Sequence, residues 1–130
     1  MKPIPNAEGR RINWPNYKTG VRNIYFRMKA ERDFASIGIE IGHPDEELQE
    51  LYFDQFGTFK KMLESTIGEE WDWKLHQVNE FGQQVSKIEK TLPDVNVMDS
   101  EDWPKIISFL KPRIIALDEF WQNVKPGFEN

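Results

Sequence analysis

Residues 44–68 read PDEELQELYFDQFGTFKKMLESTIG, and no other stretch restricts the fold so tightly. Leu48, Leu51, Tyr52, Phe56, Phe59, Met62 and Leu63 recur at three- and four-residue steps, the spacing of one side of a helix. Pro44 suits the first helical position, where a missing N–H costs nothing. Asp45, Glu46 and Glu47 follow beside the positive end of the helix dipole, and Lys60 and Lys61 lie towards the other end. Gly68 is the expected stop. The segment predicts one long helix with an apolar side that needs a partner surface. It carries no chemistry of its own.

That surface is legible on both sides of the helix. Across residues 21–41, Ile24, Phe26 and Met28 alternate with Asn23, Tyr25 and Arg27, and Ala35, Ile37, Ile39 and Ile41 alternate with Ser36, Gly38 and Glu40. Period-two alternation predicts a hairpin with one buried and one wetter face. Pairing Met28 with Ala35 puts Tyr25 over Gly38, where a ring covers bare backbone, and Arg27 near Ser36 and diagonal to Glu40. Further on, Trp71, Trp73 and Leu75 alternate with Asp72, Lys74 and His76, and residues 79–82 form a turn signal. Residues 83–92 are ambiguous, because Val85, Ile88 and Leu92 have helical spacing. Gly82 and Pro93 leave little room for a helix, so the expectation is a strand returning on residues 71–77, with Val95 and Val97 as a short extension.

The last element starts at Asp99 or Ser100, both good N-caps. Its apolar stripe is Trp103, Ile106, Ile107, Leu110, Ile114, Leu117, Trp121 and Val124. Pro112 inside it predicts a kink, and Pro126-Gly127 its end. The order β-β-α-β-β-α predicts an α+β fold: an antiparallel sheet of about four strands with two long helices packed on one face. Trp71, Trp73, Trp103 and Trp121 are expected between the layers. Residues 1–20, rich in Pro, Gly and Asn, read as an extended N-terminal arm pinned by Trp14 and Tyr17, and residues 21–130 as a single α+β domain. Lys18-Thr19-Gly20 lacks the glycine-rich turn and strand of a phosphate loop.

Composition removes several functions. A chain of 130 residues buries a real core, and 30% charged residues is an ordinary globular share. Without cysteine there is no disulfide framework, thiolate metal site or cysteine nucleophile, which suits a reducing compartment. No segment approaches the roughly 18 apolar residues of a membrane span, and the N-terminus lacks a secretory apolar core. The reading is of a soluble, cytoplasmic protein with no membrane partner. The net charge of −5 is unevenly spread: residues 1–33 hold eight cations against three carboxylates, +5, which leaves −10 for the remainder. Such a split allows an anionic partner for the first third, or docking of basic residues on the protein's own acidic helices.

Several blocks together resemble a known family. They are Ile12-Asn13-Trp14-Pro15-Asn16-Tyr17-Lys18-Thr19-Gly20, Ile24-Tyr25-Phe26-Arg27-Met28, Ile37-Gly38-Ile39-Glu40-Ile41, Glu69-Glu70-Trp71-Asp72-Trp73, Ser86-Lys87-Ile88, and the run from Asp102 to Trp121. In that order they resemble bacterial proteins of the domain-of-unknown-function family 4268, over nearly the whole chain. These signatures are patterns of core aromatics and imply no activity. Some related domains are joined to a nuclease-like domain, which implies an accessory role.

The strongest enzyme-like string is Pro44-Asp45 followed by Asp72-Trp73-Lys74, the letters of a metal-dependent nuclease that holds magnesium between carboxylates. Its context is wrong, because Pro44-Asp45 has the grammar of a helix start. His43 and His76 show no metal-ligand spacing, and no serine sits in a nucleophile elbow. The expectation is therefore an interaction or accessory module with no catalytic residues, no metal and no cofactor. Its partner-binding residues are Tyr25, Arg27 and Glu40 on the wetter sheet face, with Lys74 and His76 beside them, and its partner is a protein or a fused domain. The alternative is a nucleic-acid-contacting accessory domain, with Arg10, Arg11, Lys18, Arg22 and Arg27 on phosphates and Tyr17 or Tyr25 stacking on a base. A metal-dependent nuclease is the remote alternative.

Overall fold

The structure, a computed structural model, describes residues 4–5 and 11–12 as backbone and residues 17–128 in full. Arg10 and Trp14 lie outside the described residues. Two short strands, β1 (Ile4–Pro5) and β2 (Arg11–Ile12), pair antiparallel. Then come β3 (Ile24–Ala30), β4 (Phe34–Ile41), α1 (Glu46–Thr58), α2 (Lys60–Ile67), β5 (Asp72–Val78), β6 (Gln84–Pro93) and α3 (Trp103–Val124). The four longer strands form one antiparallel sheet in the order β3-β4-β6-β5. This is the α+β architecture expected, and residues 84–93 are the strand that returns on β5. Val95 and Val97 do not extend it: they lie in the loop to α3, where Val95 is buried in the core.

The first hairpin keeps its expected faces but not its register. Glu31 N–H donates to the Phe34 carbonyl at 2.8 Å, so the turn closes over two residues, Arg32 and Asp33, and Ala30 pairs with Ala35. Met28 therefore faces Ile37, Phe26 faces Ile39 and Tyr25 faces Glu40, two residues away from the expected pairing. An even shift leaves every side chain on its own face, which is why alternation alone could not detect it. Gly38 consequently lies opposite Arg27. Its need for glycine comes from the other neighbour: a Cβ there would sit 2.6 Å from the Ile88 carbonyl oxygen.

The helical side also departs from expectation. The single helix across residues 44–68 is two, interrupted at Phe59, so Lys60 and Lys61 begin α2 instead of ending α1. Gly57 weakens the last turn of α1, and the Thr58 hydroxyl donates back to the Asp54 carbonyl. Asp45, not Pro44, marks the start, its carboxylate accepting from the N–H groups of Glu47 and Leu48. Gly68 is the stop, at φ 85° with its N–H on the Glu64 carbonyl. The buried side runs Gln49, Phe56, Leu63, with Tyr52, Phe53 and Phe59 partly covered, whereas Leu48, Leu51 and Met62 are exposed. The apolar letters are wider than the contact they make.

α3 runs through Pro112, which sits on its exposed side. It buries Ile106, Phe109, Leu110, Ile114, Leu117, Phe120, Trp121 and Val124. Trp71 and Trp121 fill the core and Trp73 is half-buried, but Trp103 and Ile107, expected inside, are exposed. Trp121 lies about five turns along on the same side of α3 as Trp103, and Ile114 and Asp118 lie on the side of Ile107. All three are buried, so the cover narrows towards the start of the helix. Trp121, Phe56 and Phe128 meet with ring centroids 4.4–6.1 Å apart.

Candidate partner-binding face of the sheet

Ile37, Ile39 and Ile88 point to the helices, so by strand parity the opposite face carries Tyr25, Arg27 and Lys29 from β3 and Ser36, Gly38 and Glu40 from β4. Lys87 and Glu89 come from β6, and Asp72 and Lys74 from β5. Register sets them in rows across the sheet: Tyr25, Glu40, Lys87, Lys74 in one, and Arg27, Gly38, Glu89, Asp72 in the next. The three residues expected at this face do converge. Arg27 Nε lies 3.2 Å from Glu40 Oε2, and the guanidinium carbon stands 4.4 Å from the centre of the Tyr25 ring. Lys74 pairs with Glu89 at 3.7 Å, while Lys87, between Glu40 and Lys74, has no ion-pair partner among the described residues.

The β5–β6 hairpin turns this face into a groove. Between Lys74 and Gln77, β5 holds one residue more than β6 opposite it, and His76 there has φ 51°. A bulge of this kind bends a strand and sharpens its twist. Ser86 Oγ receives the displaced His76 N–H at 3.1 Å. The tip is closed by Asn79 Oδ1, which accepts from Phe81 and Gln83 N–H at 2.9 Å. Lys29 shares its row with Thr91, at the far end of β6, yet its ammonium lies 3.5 Å from Glu80 at that tip. The hairpin therefore leans across the sheet, and Val85 is buried although it lies on the helix-free face. Beneath it is a cavity of about 450 Å³ lined by Tyr25, Arg27, Glu40, Gly42, Pro44, Glu46, Gln49 and Gln83 to Val85. A smaller cleft of about 110 Å³ over Gly38 is lined by Arg27, Lys29, Ser36, Glu40, Lys87 and Glu89.

A buried polar cluster anchors the end of the groove. Gln49 Nε2 donates to the carbonyls of His43 and Gln84, each at 3.0 Å, and Gln49 Oε1 accepts from Ser86 Oγ at 2.7 Å. It ties α1 to the strand whose other face floors the groove. His76 Nδ1 stands 3.6 Å from Glu46 Oε1 beside it.

The candidate phosphate contacts are more dispersed. Lys18 and Arg22 are exposed and, with Tyr25 and Arg27, line a second concavity of about 450 Å³ formed by residues 17–27. Arg11 belongs to β2, and Arg10 is outside the described residues. Tyr17 stacks on Phe26 at 4.7 Å and donates its hydroxyl to Asp118 at 2.5 Å. Burial first, then the Asp118 hydrogen bond and charge, push that hydroxyl well above the ordinary tyrosine value. Of the nuclease-like letters, Asp45 serves as a helix cap and Lys74 is paired with Glu89. Among the described residues no group of three or more His, Asp or Glu side chains is arranged to hold a metal ion.

Sequence reasoning missed Lys87, Glu89, Gln83, Gln84 and Val85. Parity within β6 assigns Val85, Lys87 and Glu89 to one face, but only the strand order puts that face beside Tyr25 and Glu40.

A four-stranded antiparallel sheet, helices on one side and a charged, hairpin-cupped face on the other, defines a two-layer α+β domain. The chain belongs to the family described as Domain of unknown function (DUF4268), whose family model matches residues 1–125. No curated protein and no solved structure matches it. No helix among the described residues is long and apolar enough to cross a membrane.

Proposed function

We propose that this domain is a non-catalytic interaction or accessory module whose helix-free sheet face binds a protein partner or a fused domain. One observation carries the reading: Arg27 is held between the Tyr25 ring and the Glu40 carboxylate at the lip of a groove the β5–β6 hairpin overhangs. An aromatic and an arginine fixed in place before binding are the residue types that dominate protein interfaces. A photoreactive residue in place of Tyr25 tests it in cells. It should capture a discrete partner, and Arg27→Glu should abolish the product, while the same probe at exposed Glu119 captures nothing comparable. Unchanged capture in Arg27→Glu removes this face from the function. The cysteine-free chain suits the cytoplasm, where disulfides do not persist.

The concavity at Lys18, Arg22 and Arg27 favours a second reading, an accessory contact to nucleic-acid phosphates. Its signature is affinity for single strands that falls steeply with salt, as released counterions require. A flat salt response ends it. Metal-dependent cleavage has least support, because Asp45 is occupied as a cap; cleavage that persists in Asp72→Asn would exclude it.

A further inference from the structure

The sheet has two edges, and the chain treats them differently. At β5 the bulge between Lys74 and Gln77 breaks the pleat, and Gln77 Nε2 donates to the Leu75 carbonyl at 3.3 Å, so this edge is a poor template for another strand. β3, the other edge, is seven residues without bulge or proline. Gly42 N–H donates to the Asn23 carbonyl and Glu31 N–H to the Phe34 carbonyl, each at 2.8 Å and each in line with the β3–β4 register. Alternation between those two pairs turns the backbone of Tyr25, Arg27 and Lys29 towards β4. The N–H and carbonyl groups of Ile24, Phe26, Met28 and Ala30 therefore face away from the sheet. At Ile24 the chain satisfies them itself: its N–H donates to the Val21 carbonyl at 3.3 Å, and its carbonyl accepts from Thr19 Oγ1 at 2.7 Å. Those of Phe26, Met28 and Ala30 have no hydrogen-bond partner among the described residues.

We infer that the free edge of β3 takes an extended acidic segment of a partner protein as a fifth strand. Open donors and acceptors at strand spacing are matched by the backbone of another strand. Charge selects which strand. Residues 17–33 hold Lys18, Arg22, Arg27, Lys29 and Arg32 against Glu31 and Asp33. Lys18, Arg22 and Arg32 have no ion-pair partner among the described residues, and Lys18 and Arg22 share one concavity with Tyr25, Phe26 and Arg27. On the open face the added strand runs beside Tyr25, Arg27 and Lys29, which calls for carboxylates. On the helix side it runs beside Phe26 and the partly buried Met28 and Ala30, which calls for apolar side chains. A second copy is the wrong occupant. Two β3 strands paired antiparallel through all three open residues centre on Met28, which sets Arg27 opposite Lys29 of the other copy, and like charges directly opposite repel. The contact lies at the rim of the sheet and is made by backbone, so it goes beyond the reading of the open face, and the groove under the β5–β6 hairpin takes no part in it.

Amide exchange of the whole chain, read residue by residue, tests the inference. The probe is a peptide of alternating glutamate and valine as long as β3, seven residues, with lysine in place of glutamate as the control. At saturating peptide the amides of Phe26, Met28 and Ala30 should exchange at least about tenfold more slowly. Those of Tyr25, Arg27 and Lys29, already bonded to β4, should not change. The lysine peptide should bind at least about tenfold more weakly. Met28→Pro removes an edge N–H at a position where proline is tolerated and should weaken binding by about tenfold. If that variant does not fold, the alternating protection in the parent chain decides alone. Protection without alternation overturns the inference, as does equal binding of the two peptides; phosphate binding at Lys18 and Arg22 predicts no such alternation. A partner captured through Tyr25 without this protection would overturn the edge contact and leave the open-face reading standing.

Discussion

Tyr17 and Asp118 are 101 residues apart in sequence and joined by a 2.5 Å hydrogen bond. Asp118 is 2% exposed on α3, and Gln122 supplies its other donor at 3.3 Å. Close by, the Trp121 indole donates to the Thr19 carbonyl at 2.8 Å. Together these bonds fasten the segment before β3 to the C-terminal third of the last helix.

Tyr17→Phe should lower unfolding free energy in urea by about 1–2 kcal/mol, the cost of removing a donor from a buried carboxylate. Because the folded hydroxyl titrates above the ordinary tyrosine value, its contribution is complete below about pH 10. It fades as pH rises further, since the unfolded chain ionises first. The alkaline loss of stability should be shallower in Tyr17→Phe.

Glu69 behaves in the opposite sense. Burial pushes its carboxyl up, but hydrogen bonds from Arg113 and Trp71, the Arg113 charge and Lys90 outweigh burial and hold it below 4.5. Arg113 reaches it through Nε at 2.8 Å and a second nitrogen at 3.0 Å. That stabilisation is present above the ordinary glutamate value and is lost as pH falls through the lowered one. Arg113→Met should cost about 1 kcal/mol at neutral pH and flatten the acid side of the stability profile.

Two glycines should respond in opposite directions to alanine. Gly38→Ala drives a Cβ into the Ile88 carbonyl and Glu89 in the middle of the sheet, and should cost about 2–3 kcal/mol. Gly57→Ala meets nothing within 4 Å inside α1 and should add about 0.5–1 kcal/mol. Melting temperatures of the two variants against the parent check both signs.

Gln49→Leu should destabilise the chain by about 2–3 kcal/mol despite adding apolar bulk to a buried site. The Ser86 hydroxyl and the His43 and Gln84 carbonyls all lose their bonds to it. Hydrogen exchange should quicken first at the start of α1 and the 84–86 end of β6. An unchanged exchange pattern would mean the cluster does not anchor the groove.

Strand and helix character were legible because they are local. Alternation in Ile24, Phe26, Ile37 and Ile39 specifies a buried face, whatever that face meets. Gln49 carried a readable warning, a polar residue at a buried helical position, but nothing nearby announced Ser86 as its partner. The exposed Trp103 and Ile107 misled for the converse reason: helical spacing reports which residues could be covered, not how wide the covering surface is.

Periodicity, end-capping residues and turn residues act over a few positions, so the order of strands and helices, and the charged side of each strand, were written along the chain. Register, strand order and the lean of the β5–β6 hairpin come from contacts between distant segments. A two-residue turn, a bulge at His76 and the insertion of β6 between β4 and β5 each change which residues meet without changing any local pattern. The groove where Tyr25, Arg27 and Glu40 stand beside Gln83 and Val85 exists only once those distant pairings have formed.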